Sequence, residues 1–302
     1  MEERPPDLTR EQPPPRKGRG ARRLLWFLVL VGVLGLAAWA GAALVRRDHS
    51  HSPATETTPS LAALHIIFPE GFTRAEMGER VAAVRQIAIT RRGVTPRLTQ
   101  EHYLQASSLA TPPPAFRKDW HGQSIEGFLF PSTYAFTQYT LAGTLVRKQL
   151  GFFRREWAKV DLGYARSKNL TPYDVLIIAS MIEKEVAVPA ERRLVAAVIY
   201  NRLHLGMALQ IDATTRYGLG IPATESLTKS ELESSSPYNT RKRAGLPPTP
   251  ISNPGLPSIE AAAHPARVDY LYFVRKPDGK HHFFTASKSE FDRKSCEYGF
   301  SC

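Results

Sequence analysis

At 302 residues, with 42% hydrophobic and 23% charged residues, the chain has a globular composition and material for one large domain or two small ones. A formal net charge of +12 would suit nucleic acid, an anionic membrane surface or an acidic polymer. The sequence carries no helix-turn-helix, no aromatic RNA-binding signature and no zinc-ligand spacing, which sets nucleic acid aside.

Residues 1–23 are rich in Pro, Arg and Glu without an apolar period, and read as a disordered cytoplasmic tail. Leu24–Val45, LLWFLVLVGVLGLAAWAGAALV, then runs without a charge for long enough to cross a bilayer as one helix. Arg16, Lys17, Arg19, Arg22 and Arg23 precede it, and only Arg46 and Arg47 follow closely. The positive-inside rule therefore predicts a single-pass protein with a cytoplasmic N terminus and residues 46–302 outside. A cleaved signal peptide is the alternative, although its apolar core is usually shorter. Residues 46–60 are a polar tether.

From Leu61 the pattern becomes that of a folded domain. LHIIFPEG reads as a short strand ending in a Pro-Glu-Gly turn, and FTRAEMGERVAAV as an amphipathic helix. These predict a small α/β subdomain over 61–125, with TPPPAF as a loop near its end. GFLFPSTYAF (Gly127–Phe136) looks like strand or extended turn, and a helix with Gln149, Phe153 and Trp157 follows. Thr171-Pro172-Tyr173-Asp174 is a helix start: threonine caps, proline suits the first position, and the acid favours the positive helix end. That helix carries ASMIEKEVAVPA to about Val186; Pro189 starts another, which stops at Gly206. Residues 206–255 read as a long loop region, a type usually functional or mobile. YLYFV, the turn PDGK and HHFFT predict a closing hairpin. The expected class is α+β, a mixed helix and antiparallel-sheet domain over 126–302 beside the smaller subdomain. Cys296 and Cys302 form either a terminal clip or two free thiols.

Helical geometry sorts the chemistry. Val175, Ile178, Ile182 and Val186 form one stripe, and Glu185 falls on its edge. Glu183 points about 200° away from Glu185, so the two carboxylates cannot serve one pocket, and Lys184 is expected to face water. Burial would raise the Glu185 pKa toward that of a general acid working near neutrality; a structural ion pair with Arg192 or Arg193 is the competing role. Asp212 in LQIDATTRYG is the best-placed second carboxylate, unless it only forms a turn. His281 and His282 would face opposite sides of a strand, which disfavours a shared metal. There is no G-x-S-x-G elbow and no phosphate-cradling loop.

FPEGFT, EGFLFPSTY, IASMIEKEVAVPAER, VIYNRL, GMALQIDATTRYGLG, SPYNT, GLPPTPISNPG, AAAHP, and YLYFV with GKHHFF occur in this order over about residues 64–285. In this order and spacing the chain resembles the membrane-bound endolytic murein transglycosylases, the YceG-like family. The resemblance implies a single-pass inner-membrane enzyme with its catalytic domain in the periplasm, acting on peptidoglycan strands without metal or cofactor. It implies that one carboxyl protonates the bond between N-acetylmuramic acid and N-acetylglucosamine and then deprotonates the muramyl C6 hydroxyl, closing a 1,6-anhydro ring. The second glutamate of the E-K-E motif, Glu185, is the position carried over. Gln210, Asp212, Tyr217, Tyr238, Asn239 and Asn253 match the family's cleft residues, and a peptidoglycan synthase complex is an expected partner in ending nascent strands. The departures are a LysM-like module missing or reduced before the P-E-G turn, Gln210-Ile211-Asp212-Ala213-Thr214-Thr215 where Q-T-D-P-T-V is usual, and Glu290-Phe291 where E-H is usual. These leave a catalytically weak peptidoglycan-binding scaffold as the second reading.

Overall fold

The computed structural model describes residues 63–122 and 124–300. The N-terminal tail, the apolar run Leu24–Val45, the tether and Cys302 lie outside the described residues, and with them the expected membrane helix and the question of the cysteine pair. Among the described residues no helix is long and apolar enough to cross a membrane.

Strand β1 (Leu64–Ile67) buries Leu64 and Ile66 and exposes His65 and Ile67, the two-residue period of a strand with one face on a core. Its partner is β2 (Thr133–Phe136), antiparallel, with Leu64 opposite Phe136 and Ile67 opposite Thr133. Between them, α1 (Arg74–Arg92) begins at a capping box of Thr73 and Glu76 and ends at Gly93, whose φ of 62° suits a residue without a Cβ. α2 (Gln100–Ser108) is capped by Thr99, and its buried Tyr103 stacks on Phe68 at 5.9 Å. The sequence suggests a small α/β subdomain over 61–125; β1 pairs with β2, a strand beyond residue 125, and so satisfies its hydrogen-bonding edge.

α3 (Ala142–Trp157) contributes Phe153 and Trp157 to a ring cluster with Phe116 and Phe128, at centroid separations of 4.7–5.5 Å. A short α4 (Gly163–Ser167) leads to α5 (Pro172–Glu185), which opens on a capping box of Thr171 and Asp174 with Pro172 in the first turn, as its sequence predicts. Every residue of α5 from Val175 to Ile182 is buried. A helix apolar all round must be wrapped on every side, and α6 (Arg192–His204) and α9 (Leu256–Ala263) pack along it. Ile178 and Ile182 are 0% exposed, and each contributes about 1.5–3 kcal/mol of transfer free energy. The one polar residue in this stretch, Ser180, donates to Ile177 O and accepts from the Ile251 amide, so it is satisfied.

Residues 206–255 hold two helices, α7 (Asp212–Leu219) and α8 (Lys229–Leu232), where the sequence reads as loop. The buried face of α7 consists of Thr214 and Thr215, so it has no apolar period to detect. β3 (Tyr272–Arg275) and β4 (His282–Thr285) form the expected antiparallel hairpin, followed by α10 (Lys288–Glu297). His281 and His282 do face opposite ways: His281 is exposed beside Asp278, and His282 is buried against Glu191 at 2.7 Å.

Candidate active site

The last turn of α5 presents Glu183, Lys184 and Glu185, and each meets a different element. Glu183 Oε2 accepts from the Gly255 amide at 3.0 Å, at the start of α9. A Cβ at Gly255 would meet the exposed Glu70 carboxylate, which would have to swing aside to admit it. Glu70 is pushed up in pKa by partial burial and by the charge of Glu183, with Arg192 opposing. Lys184 does not face water alone; it donates to Gly71 O at 3.2 Å and so ties the Pro-Glu-Gly turn to α5. Glu183 and Lys184 thus fasten neighbouring segments, and their separation from Glu185 follows the helical wheel.

Glu185 is the group left for chemistry. Its side chain is half-buried with protein packed closely around the carboxyl group. Burial raises its pKa to about 7, and the charge of Asp212 adds to that; Arg275, the Ala213 N–H and Arg216 oppose it. Arg275 is the last residue of β3, and Ala213 and Arg216 lie on α7. The carboxylate therefore meets the amide end of a helix and two cations, which favour its charged form without overcoming desolvation. The ion pair considered with Arg192 or Arg193 is not formed: Arg192 donates to Ser258 Oγ and Arg193 to His264 O.

The other sequence-derived residues fall into two groups. Gln210 and Asp212 lie at the start of α7. Gln210 is exposed in the left-handed region at φ 55°, with its amide N–H on Thr240 O. Buried Arg202 holds this bend by donating to Leu209 O at 2.7 Å and to Leu271 O at 2.6 Å. Asp212 pairs with Arg241 at 2.7 Å. Tyr217 and Tyr238 pack edge to face at 5.2 Å, both half-buried. Asn239 and Asn253, by contrast, are 0% exposed with their amides committed internally. Asn239 donates to Leu232 O and Ser234 O, while Asn253 Oδ1 accepts from the Gly127 and Leu129 amides. They fix the surrounding loops through these bonds.

Sequence reasoning gave no role to Arg275, Arg216, Arg202 or Glu126. The three arginines have no spacing signal, since the fold alone brings them together. Glu126 had a signal: an acid at the head of the apolar stretch GFLF, where a charge needs partners. It is 2% exposed and accepts from the Arg74 amide, Asn253 Nδ2 and Tyr217 Oη. With Glu126 enclosed and Asp212 paired, Glu185 is the one carboxyl here that is accessible, unpaired and near-neutral in pKa. Such a group suits a reaction in which one acid also serves as the base. Among the described residues, no cluster of His, Cys, Asp and Glu could hold a metal ion.

A model of the YceG-like family matches residues 44–296. The chain is 37% identical over 174 residues to an endolytic murein transglycosylase of Bacillus subtilis (strain 168), covering 58% of this chain and 48% of that one. It is 30% identical over 254 residues to an endolytic murein transglycosylase of Streptococcus pneumoniae (strain R6), covering 80% of this chain and 45% of the relative. The chain thus spans about half the length of the curated relatives it matches. The crystal structure of a YceG-like protein from Listeria monocytogenes superposes with a TM-score of 0.61 at 30% identity, covering 76% of this chain and 75% of that one.

Proposed function

Because the chain belongs to the YceG-like family, we propose that it is an endolytic murein transglycosylase, cutting peptidoglycan strands between N-acetylmuramic acid and N-acetylglucosamine. The observation that carries this reading is Glu185, an accessible carboxyl with a pKa raised to about 7 and an N–H donor and two cations placed for its conjugate base.

Protonated Glu185 gives its proton to the bridging oxygen as the C1–O bond breaks, and the N-acetylglucosamine leaves with a free 4-hydroxyl. The Glu185 carboxylate then takes the proton of the muramyl C6 hydroxyl, whose oxygen closes on C1 as a 1,6-anhydro ring. No water enters, and the carboxyl ends in its starting state. The nucleophile is tethered to the sugar it attacks, so proximity replaces a second catalytic carboxylate. The Ala213 N–H, Arg275 and Arg216 stabilise Glu185 in its transient charged form. Gln210, the Asp212–Arg241 pair and the Tyr217–Tyr238 rings line the strand's path, with Asn239 and Asn253 acting through the loops they hold. In the cell, Leu24–Val45 anchors the protein in the inner membrane with the catalytic domain outside. There it ends nascent strands beside a synthase complex.

The test is purified full-length protein in detergent with peptidoglycan sacculi, the products read by mass spectrometry. Anhydro-muramyl ends at internal positions are expected, and Glu185→Gln should lower their formation about 10²–10⁴-fold. Anhydro ends from a folded Glu185→Gln protein, or reducing ends in place of anhydro ends, would overturn the assignment. Sedimentation with sacculi but no products would leave the scaffold reading.

A further inference from the structure

A buried carboxyl unused by this chemistry, Glu126, bonds to α7, the helix whose first turn faces Glu185. α7 meets Glu185 through the Ala213 amide in its first turn; one turn later the Tyr217 hydroxyl donates to Glu126 Oε2 at 3.2 Å. Glu126 is otherwise fully occupied. Its Oε1 accepts from Asn253 Nδ2 at 2.6 Å and from the Arg74 amide at 2.9 Å, and its Oε2 from the same amide at 3.1 Å. Arg74 is the first residue of α1, so a helix N terminus also faces the carboxylate. Every partner is a donor, an arrangement that selects a carboxylate over an amide of equal shape.

We propose that Glu126 is a positioning residue: through Tyr217 it fixes α7 so that the Ala213 N–H stays aimed at Glu185. The inference rests on the role of Glu185 proposed above. Asn253 extends the hold by donating to Phe72 O as well, so α1, the Gly127–Leu129 turn and α7 are clamped to one buried acid. The opening turn of α7 has its own ties, Thr214 to Thr240 and Thr215 to Asn239. Tyr217 therefore sets the tilt of the helix and not its existence. Removing its hydroxyl lets the Ala213 amide drift and weakens a bond that stabilises charged Glu185.

The groups facing Glu126 are Tyr217, Asn253, the Arg74 guanidinium and the Tyr103 phenol. Those facing Glu185 are Arg275 from β3 and Asp212 and Arg216 from α7. Tyr217→Phe changes none of these charges, whereas Glu126→Gln removes an ionisable group, itself raised to about 7 by burial, together with one of its acceptor oxygens. Tyr217→Phe, with Glu126→Asp as the charge-conserving companion, is thus the clean perturbation.

The experiment follows the Ala213 amide resonance of full-length ¹⁵N-alanine-labelled protein against pH, together with kcat and KM for anhydro-end formation and the thermal midpoint. In the wild type the Ala213 resonance should titrate with a midpoint near 7, set by Glu185. In Tyr217→Phe the midpoint should rise by about half a pH unit and kcat should fall about tenfold with KM little changed. Glu126→Asp should lie between the two. An unchanged midpoint and kcat with only a lower thermal midpoint would make Glu126 structural and overturn the proposal. A raised KM at unchanged kcat would make the Tyr217 hydroxyl, like its ring, a substrate contact and overturn it as well. Should Glu126→Asp fail to fold, Tyr217→Phe decides alone. The amide titration does not depend on turnover, so absence of anhydro products from the wild type would remove the proposed activity without deciding the α7 contact.

Discussion

Replacing Glu185 with glutamine should do two things at once: cut turnover about 10²–10⁴-fold and stabilise the fold, the second only above a defined pH. A carboxyl held at about 7 instead of the ordinary 4.5 binds its proton more tightly in the folded state than in the unfolded one. Below about pH 4.5 it is protonated in both states and costs nothing. As pH rises toward 7 the unfolded chain ionises first, and stability falls by up to about 3 kcal/mol before levelling off. Glu185→Gln keeps the shape and an oxygen to accept the Ala213 N–H but cannot ionise, so it escapes that penalty. The variant should match the wild type at pH 4 and exceed it at pH 8 by up to about 3 kcal/mol. For a domain of this size, that is roughly 5–10 °C in thermal midpoint. Thermal unfolding of both proteins from pH 4 to 9, with anhydro-end formation on the same samples, checks it. A difference in stability that is constant across pH would refute the reasoning, because it would mean that Glu185 is not held protonated by its surroundings. Such a gain on removing a catalytic group is the usual trade between a strained site and a stable fold.

Asp212→Asn removes a charge that raises the Glu185 pKa and frees Arg241, which now balances it. The alkaline limb of kcat/KM should therefore move to lower pH, read from initial rates between pH 5 and 9. Arg275→Gln acts in the opposite sense: the Glu185 pKa rises, and the alkaline limb should shift upward in the same assay. Asn253→Ala leaves the Gly127 and Leu129 amides without partners in a buried site and takes from Glu126 Oε1 one of its two donors, the Arg74 amide remaining. It should cost about 3–5 kcal/mol by denaturant titration. Gly255→Ala makes the exposed Glu70 carboxylate swing aside beside Glu183; a change of no more than about 0.5 kcal/mol is expected by the same titration.

Some of this was written locally. Thr171, Pro172 and Asp174 specify where α5 begins, because capping and proline stereochemistry act within one turn. The helical wheel separates Glu183 from Glu185 whatever surrounds them. The β3–β4 hairpin shows in its alternating aromatics and its Asp-Gly turn. α7 was not legible, since its buried face is threonine and its ends are set by Thr240 and Gly220. Nor was the pairing of β1 with β2, a contact between segments more than sixty residues apart.

The sequence by itself determined that Glu185 stands on the rim of an apolar helix, apart from Glu183, and offered Asp212 as a second acid only from its loop context. Only the tertiary structure decided what Glu185 meets. Residues 213, 216 and 275 converge on it from one helix and one strand, and the raised pKa is the balance of their charges against burial. It likewise decided that Asn239 and Asn253 turn inward and that Glu126 is enclosed. A pKa or a buried hydrogen bond depends on through-space distance, and a local pattern carries orientation along one element but no distance between two.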